Sequence, residues 1–158
     1  MGSISKQLLL LLFPIMATCD PATSTNPITE KSDAETNHIL GLYLVHMRIV
    51  NNLSDNQPLN VHCKSKDDDL NNHVIYRGQS FRWRFRPNIW GTTLFFCHFS
   101  WAGGEGSYDI YKNRRDYDRC KHACNWYVTQ EGIEGYTEED KLNKKPPKVD
   151  IFFNWQNP

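Results

Sequence analysis

The chain has no net charge: 18 Lys and Arg balance 18 Asp and Glu across its 158 residues. Nucleic-acid binders draw much of their affinity from a basic excess over phosphates, so that class is excluded. A Gly-x-Ser-x-Gly elbow and a His-Glu-x-x-His helix are both missing, which removes two common hydrolase frameworks. Gly103-Gly104-Glu105-Gly106 is followed by no lysine in the register of a phosphate loop. Asp67-Asp68-Asp69 lacks the alternating ligands, central glycine and late glutamate of a helical calcium loop. No metal and no cofactor is implied. The chain is also poor in long apolar runs, and none reaches the roughly 20 residues a membrane-spanning helix requires.

One short apolar run is present, at the start. Lys6 precedes Leu8 to Phe13, and Pro14-Ile15-Met16-Ala17-Thr18-Cys19 follows. A basic residue, an apolar segment of about ten residues and small residues beyond are the pattern of a secretory signal peptide. Residues 1–19 are therefore expected to be a leader, with cleavage after Ala17, Cys19 or Ala22. The protein is expected to be secreted and extracellular, without stable membrane insertion. Removing residues 1–19 takes away one base, Lys6, and leaves 17 basic against 18 acidic residues. Residues 20–41 lack periodicity and are rich in Pro, Ser, Thr and Asn, which predicts a flexible mature N-terminus.

Export changes the meaning of the cysteines. Without Cys19 there are four, Cys63, Cys97, Cys120 and Cys124, and an even number in an oxidising compartment predicts two disulfides. Cys120 and Cys124 would lie about 13 Å apart in an extended chain, beyond the roughly 7 Å that a disulfide spans. Each is thus expected to pair with Cys63 or Cys97. The nested arrangement, Cys63–Cys124 around Cys97–Cys120, is preferred. The neighbouring His62-Cys63, Cys97-His98 and Cys120-Lys121-His122-Ala123-Cys124 could suggest zinc in a cytosolic chain. On a strand, however, adjacent residues face opposite ways, so no metal is expected.

The rest reads as strands. Val45, Met47 and Ile49 alternate with His46, Arg48 and Val50; Leu59, Val61 and Cys63 alternate again. Phe81, Trp83 and Phe85 alternate strictly with Arg82, Arg84 and Arg86 before Pro87, which puts aromatics on one face and arginines on the other. Thr93 to Trp101, Ser107 to Tyr111 and Ala123 to Val128 supply further strands. Regular spacing, Gly and Asn turns and little helical pattern predict an all-β fold: a small antiparallel β-sandwich of about 7–8 strands stapled by two disulfides. Its domain is placed at 42–136, with residues 137–158 as a polar C-terminal extension. Val149 to Trp155 is either a last strand or a segment docked through aromatics. The predicted core is Val45, Met47, Ile49, Val61, Phe81, Trp83, Phe85, Phe95, Phe99, Trp101, Ile110 and Trp126.

Candidate functional residues are few. Lys64, Lys66, Asp67, Asp68 and Asp69 crowd one turn; they cannot be buried unpaired and form a solvated loop, a candidate recognition loop. The arginine row is either an anion-binding patch or an exposed face with cross-strand carboxylates. Asn52-Leu53-Ser54 is a glycosylation sequon. His46, His62, His73, His98 and His122 permit acid–base chemistry, but nothing in the sequence orders them into a pair, and the chain is expected not to be an enzyme.

Several blocks together resemble the plant self-incompatibility family, the S-protein homologues. They are Val45 to Leu53, Val61 to Leu70, Gly78-Gln79-Ser80-Phe81-Arg82-Trp83-Arg84-Phe85 (the family's Gly-x-x-Phe-x-Trp-x-Phe), Gly91 to Trp101, Tyr108 to Tyr111, and Cys120-x-x-x-Cys124-x-Trp126 with Gly132-Ile133. Departures are Asn71 where a glycine is common, Trp90 before Gly91, and the tail after Tyr136. The resemblance implies a secreted signalling or recognition protein, in founding members a stigma product that rejects self pollen through a pollen-side membrane receptor. A monomer with an unidentified cell-surface receptor or membrane-protein partner is expected. The alternatives are a secreted carbohydrate-binding protein, stacking sugars on Trp90, Tyr108 or Tyr111, and a defence protein acting on membranes through its arginines.

Overall fold

A computed structural model describes residues 43–156; the leader and the N-terminal segment expected at 20–41 lie outside the described residues. Nine strands are present among them: β1 (Val45–Asn51), β2 (Leu59–Lys64), β3 (Asp69–Ile75), β4 (Ser80–Phe85), β5 (Leu94–Trp101), β6 (Gly104–Lys112), β7 (Ala123–Val128), β8 (Gly132–Tyr136) and β9 (Val149–Asn154). A single four-residue helix, α1 (Asn113–Asp116), links β6 to β7. The strands form a five-stranded sheet, β4-β1-β7-β8-β9, and a four-stranded sheet, β3-β2-β5-β6. The all-β sandwich expected from the sequence is present. One pairing departs from it, because β1 and β7 run parallel.

Apolar alternation explains which faces meet. Val45, Met47 and Ile49 of β1, Val61 of β2, Phe95 and Phe99 of β5, Ile110 of β6 and Trp126 of β7 are buried between the sheets. Phe81, Trp83, Phe85 and Trp101 also point inward but are only half-buried. For the β4 aromatics the reason is position. β4 is a sheet edge, so its side chains have a strand on one flank only. Tyr108 and Tyr111 are buried instead of forming exposed platforms. A register shift between Phe95 and Phe96 breaks the alternation along β6, so Ile110 and Tyr111 are both covered.

The domain does not end at 136. β9 pairs along β8, Phe153 stacks on Trp126 at 5.5 Å between ring centroids, and Trp155 donates its indole N–H to the carbonyls of Thr129 and Gln130. The polar stretch before β9 is a connection inside the domain, and the boundary at 136 is corrected accordingly.

The disulfide pairing is corrected as well. Cys63 bonds Cys97 and Cys120 bonds Cys124, with Cα separations of 4.0 and 4.9 Å. Cys63 and Cys97 are direct cross-strand partners in β2 and β5. Cys120 follows α1 in a curled turn, where its N–H donates to the Asp116 carbonyl. Chain curvature there shortens a spacing that an extended backbone would make too long.

Candidate recognition surface

Three connections gather near one end of the sandwich: β2–β3, β4–β5 and β6–β7. Each is fixed by its own side chains. In the β2–β3 turn, Ser65 Oγ accepts the N–H groups of Asp67 and Asp68 at 3.2 and 2.9 Å, and donates to the Asp68 carboxylate at 3.1 Å. Asp69 binds Lys64 Nζ at 2.9 Å and His62 Nε2 at 2.6 Å. Asn71, where the sequence departs from a common glycine, has φ of 62°, a left-handed conformation that Asn tolerates better than most residues. Its N–H donates to Asp69 Oδ1.

The five charged residues therefore divide. Lys64 and Asp69 are an ion pair at the strand ends, while Lys66, Asp67 and Asp68 are carried outward on the turn and are exposed. Hydrogen bonds from Lys64, then from His62 and the Asn71 N–H, hold the Asp69 carboxyl well below the usual carboxylate range. The sign follows from that depression: the pairing is present above the ordinary carboxylate pKa and is lost as pH falls through the lower folded value. Carboxyl NMR titration is expected to show Asp69 still ionised below the ordinary carboxylate pKa. Lys64→Ala should move its midpoint up, and an unmoved midpoint would contradict the pairing.

The β4–β5 turn carries two large apolar side chains into solvent. Asn88 organises it: its Oδ1 accepts the Thr92 N–H at 3.0 Å, its Nδ2 donates to Thr92 Oγ1 at 2.9 Å, and its N–H donates to Thr93 Oγ1 at 2.8 Å. Held over this frame, Ile89 is 70% exposed and Trp90 81% exposed. Between this turn and the charged one lies an open cleft of about 400 Å³, lined by Lys66, Asp68, Arg86, Asn88, Leu94 and Phe96 among others. Polar walls and an apolar floor suit a macromolecular contact better than an enclosed small molecule.

The β6–β7 connection is anchored from inside. Asp116 is fully buried; it accepts from Lys112 N–H at 2.7 Å, from Arg115 Nε and Nη2 at 3.0 and 2.8 Å, and from Arg119 Nε at 2.7 Å. Arg119 reaches on to Asp150 and to the Tyr136 carbonyl, each at 2.9 Å. This network ties the connection to the start of β9. Its composition is visible in the sequence as a charged stretch, but its burial is not.

The remaining candidates lie elsewhere. Asn52 is exposed just beyond β1, and Ser54 of its sequon receives a hydrogen bond from Gln130. His62 and His98 are cross-strand neighbours in β2 and β5. His62 contacts Asp69, and His98 Nδ1 lies 3.1 Å from Ser107 Oγ. They stand on an outward sheet face, His62 half-buried and His98 exposed. No group of three or more metal-ligating side chains occurs among the described residues. Arg82 and Arg84 face outward on β4, with Arg86 exposed just beyond it, and the β1 neighbours are not carboxylates: Arg48 stands opposite Arg82 and His46 opposite Arg84.

Comparison with known proteins places this architecture. Residues 46–155 match the plant self-incompatibility protein S1 family. The chain belongs to that family. Among its Arabidopsis thaliana relatives, S-protein homolog 24 is 39% identical over 112 residues, 70% of each chain. S-protein homolog 2 is 32% identical over 153 residues, covering 94% of this chain and 91% of the relative. A solved self-incompatibility protein homologue shares the fold, with a TM-score of 0.55 at 16% identity over 73% of this chain and 97% of its own. That structure is described as representing a widespread family of small, highly stable, secreted proteins from plants. The family match includes β9, as the sheet pairing does, so the S-protein domain of this chain runs to its last strand.

Proposed function

We propose that this S-protein homologue is a secreted, non-enzymatic recognition protein that binds a cell-surface receptor or membrane protein through the loop end of its sandwich. The observation that carries this reading is the β4–β5 turn. A rigid Asn88 frame presents Trp90 and Ile89 to solvent beside the charged β2–β3 turn. Exposed aromatic and aliphatic side chains preorganised over polar neighbours are the usual composition of an interface anchor. Rejection of self pollen is one role such a ligand can serve, and other cell–cell signalling is equally consistent with the surface. The exposed Trp90 also favours a second reading, a sugar-stacking protein, whereas the buried Tyr108 and Tyr111 do not contribute to it.

The test uses the full chain expressed in plant cells. Medium collected from them is expected to contain protein lacking residues 1–17, 1–19 or 1–22, and glycosidase should lower its mass unless Asn52 is replaced by Gln. Fluorescently labelled protein should then bind protoplasts saturably. Trp90→Ala with Ile89→Ser should reduce that binding by about tenfold or more, as for a central anchor. Unchanged binding would reject the loop end as the contact. Retention of the protein inside the cells would reject secretion, and Trp90-dependent signals on a glycan array would favour the sugar reading.

A further inference from the structure

Each sheet has two edges, and among the described residues three of the four carry a register shift or a capping contact. The pairing of β3 with β2 is shifted between His62 and Lys64. β6 is covered by Gln156, whose N–H donates to the Glu105 carbonyl and whose side chain bonds Ser107. β9 has a shift opposite Gly135 and Tyr136. β4 differs: its register with β1 is unbroken from Val45–Phe85 to Val50–Ser80, and it has a strand on one side only. His73 stacks on Phe81 at 3.9 Å, so the open part of this edge begins at Arg82.

Two properties of that edge select a partner. The outward side chains Arg82 and Arg84, with Arg86 just beyond the strand's end, have no carboxylate within ion-pairing distance among the described residues. Their cross-strand neighbours, Arg48 and His46, add to the positive field rather than cancel it. Arg82, Arg84, Arg48 and His46 line a shallow depression of about 600 Å³ together with Asn125. The inward side chains, Trp83 and Phe85, are half-buried aromatics with room for apolar cover on the open flank.

We infer that β4 accepts an extended acidic segment of another protein as an added strand, its Glu or Asp residues beside Arg82, Arg84 and Arg86 and its intervening apolar residues beside Trp83 and Phe85. Strand addition supplies main-chain hydrogen bonds, and alternate side chains supply specificity. The guanidinium fork matches carboxylates in bidentate geometry. The arginine row also excludes the commonest wrong occupant. A second copy pairing through β4 would bring arginines against arginines, a like-charge arrangement that protects edges. A polyanion or an acidic lipid surface would satisfy the charges but neither the backbone ladder nor the aromatics.

This inference rests on the recognition reading only for the partner being a protein, and it is tested with purified full-length protein away from cells. A fluorescent Glu-Val octapeptide of strict alternation is the probe, read by anisotropy at low salt. Three controls accompany it: a scrambled peptide, a fully N-methylated peptide and a Lys-Val peptide. The alternating acidic peptide is expected to bind, to slow hydrogen exchange of the β4 amides, and to exceed the first two controls by about tenfold or more. Arg82→Glu with Arg84→Glu should lose that binding and gain the Lys-Val peptide, a rescue that misfolding cannot produce. Equal binding of the N-methylated or scrambled peptide would overturn the inference in favour of a general polyanion surface. Absence of binding, or binding unaffected by the charge reversal, would overturn it outright. Protoplast binding that depends on Trp90 while the peptide fails would leave the recognition reading standing and this inference rejected.

Discussion

Asp116→Ala is expected to lower the stability of the fold by about 3–5 kcal/mol, the range found when one partner of a buried charge pair is removed. Asp116 accepts four hydrogen bonds, from one backbone N–H and two arginines, and is wholly shielded from solvent. The Arg119 side chain is only 7% exposed, so losing the carboxylate leaves a guanidinium with little access to water. Asp150, at 24% exposure, remains as its partner and offsets part of the loss. The helix beside it cannot compensate, because its four residues make about one turn, too short to hold together in water without outside support. Urea unfolding measures the difference. Asp150→Ala should cost about 1 kcal/mol, as for a partly solvated pair. If the two substitutions were equally mild, the network would be a surface arrangement and not the anchor of the β6–β7 connection.

Arg119 illustrates how far the sequence could be read. Its neighbourhood, Lys112 to Arg119, is conspicuously charged, and a run of mixed charges is ordinarily a solvated loop. Here the charges fold inward on Asp116, with Arg119 Cζ lying 5.2 Å from the centre of the Trp126 ring. Composition shows which charges are available but not which of them find one another. The strands were legible for the opposite reason. Alternation such as Phe81-Arg82-Trp83-Arg84-Phe85 has one physical solution, a strand with one face covered. What alternation cannot show is where a strand lies in its sheet. That is why Trp83 and Phe85, expected in the core, are half-covered at an edge, while Tyr108 and Tyr111 are sealed inside. β9 was visible as an aromatic-rich segment. The polar connection before it, from Glu138 to Lys148, concealed that it completes the sheet.

The recognition surface divides along the same line. The charged turn at Lys64 to Asp69 is conspicuous in the sequence because burial of so many unpaired charges is prohibitive. Ile89 carries the opposite bias, since large apolar residues are usually assigned to the interior, while Trp90 is offered by the sequence only as one of three possible exposed platforms. The Asn88–Thr92–Thr93 hydrogen bonds show the frame over which both are held out in solvent. A Pro-Asn start to that turn was the available signal, and it marks a turn without saying what the turn displays.

Removing Cys63–Cys97 should destabilise the protein about twice as much as removing Cys120–Cys124. In the chain-entropy account a crosslink limits the unfolded ensemble in proportion to the logarithm of its loop. Separations of 34 and 4 residues correspond to about 4 and about 2 kcal/mol respectively. Location reinforces the order. Cys63 and Cys97 join the two central strands of the four-stranded sheet, whereas Cys120 and Cys124 close a local turn. Paired Cys→Ala variants, unfolded in urea without reductant, provide the comparison. Connectivity has an independent reading, because Lys121 lies between Cys120 and Cys124. Trypsin cutting after Arg119 and Lys121 releases Cys120-Lys121 joined to the fragment holding Cys124. Under the nested pairing it would instead be joined to the fragment holding Cys97. Recovery of that second product from native, unreduced protein would overturn the pairing on which the expected two-to-one difference depends.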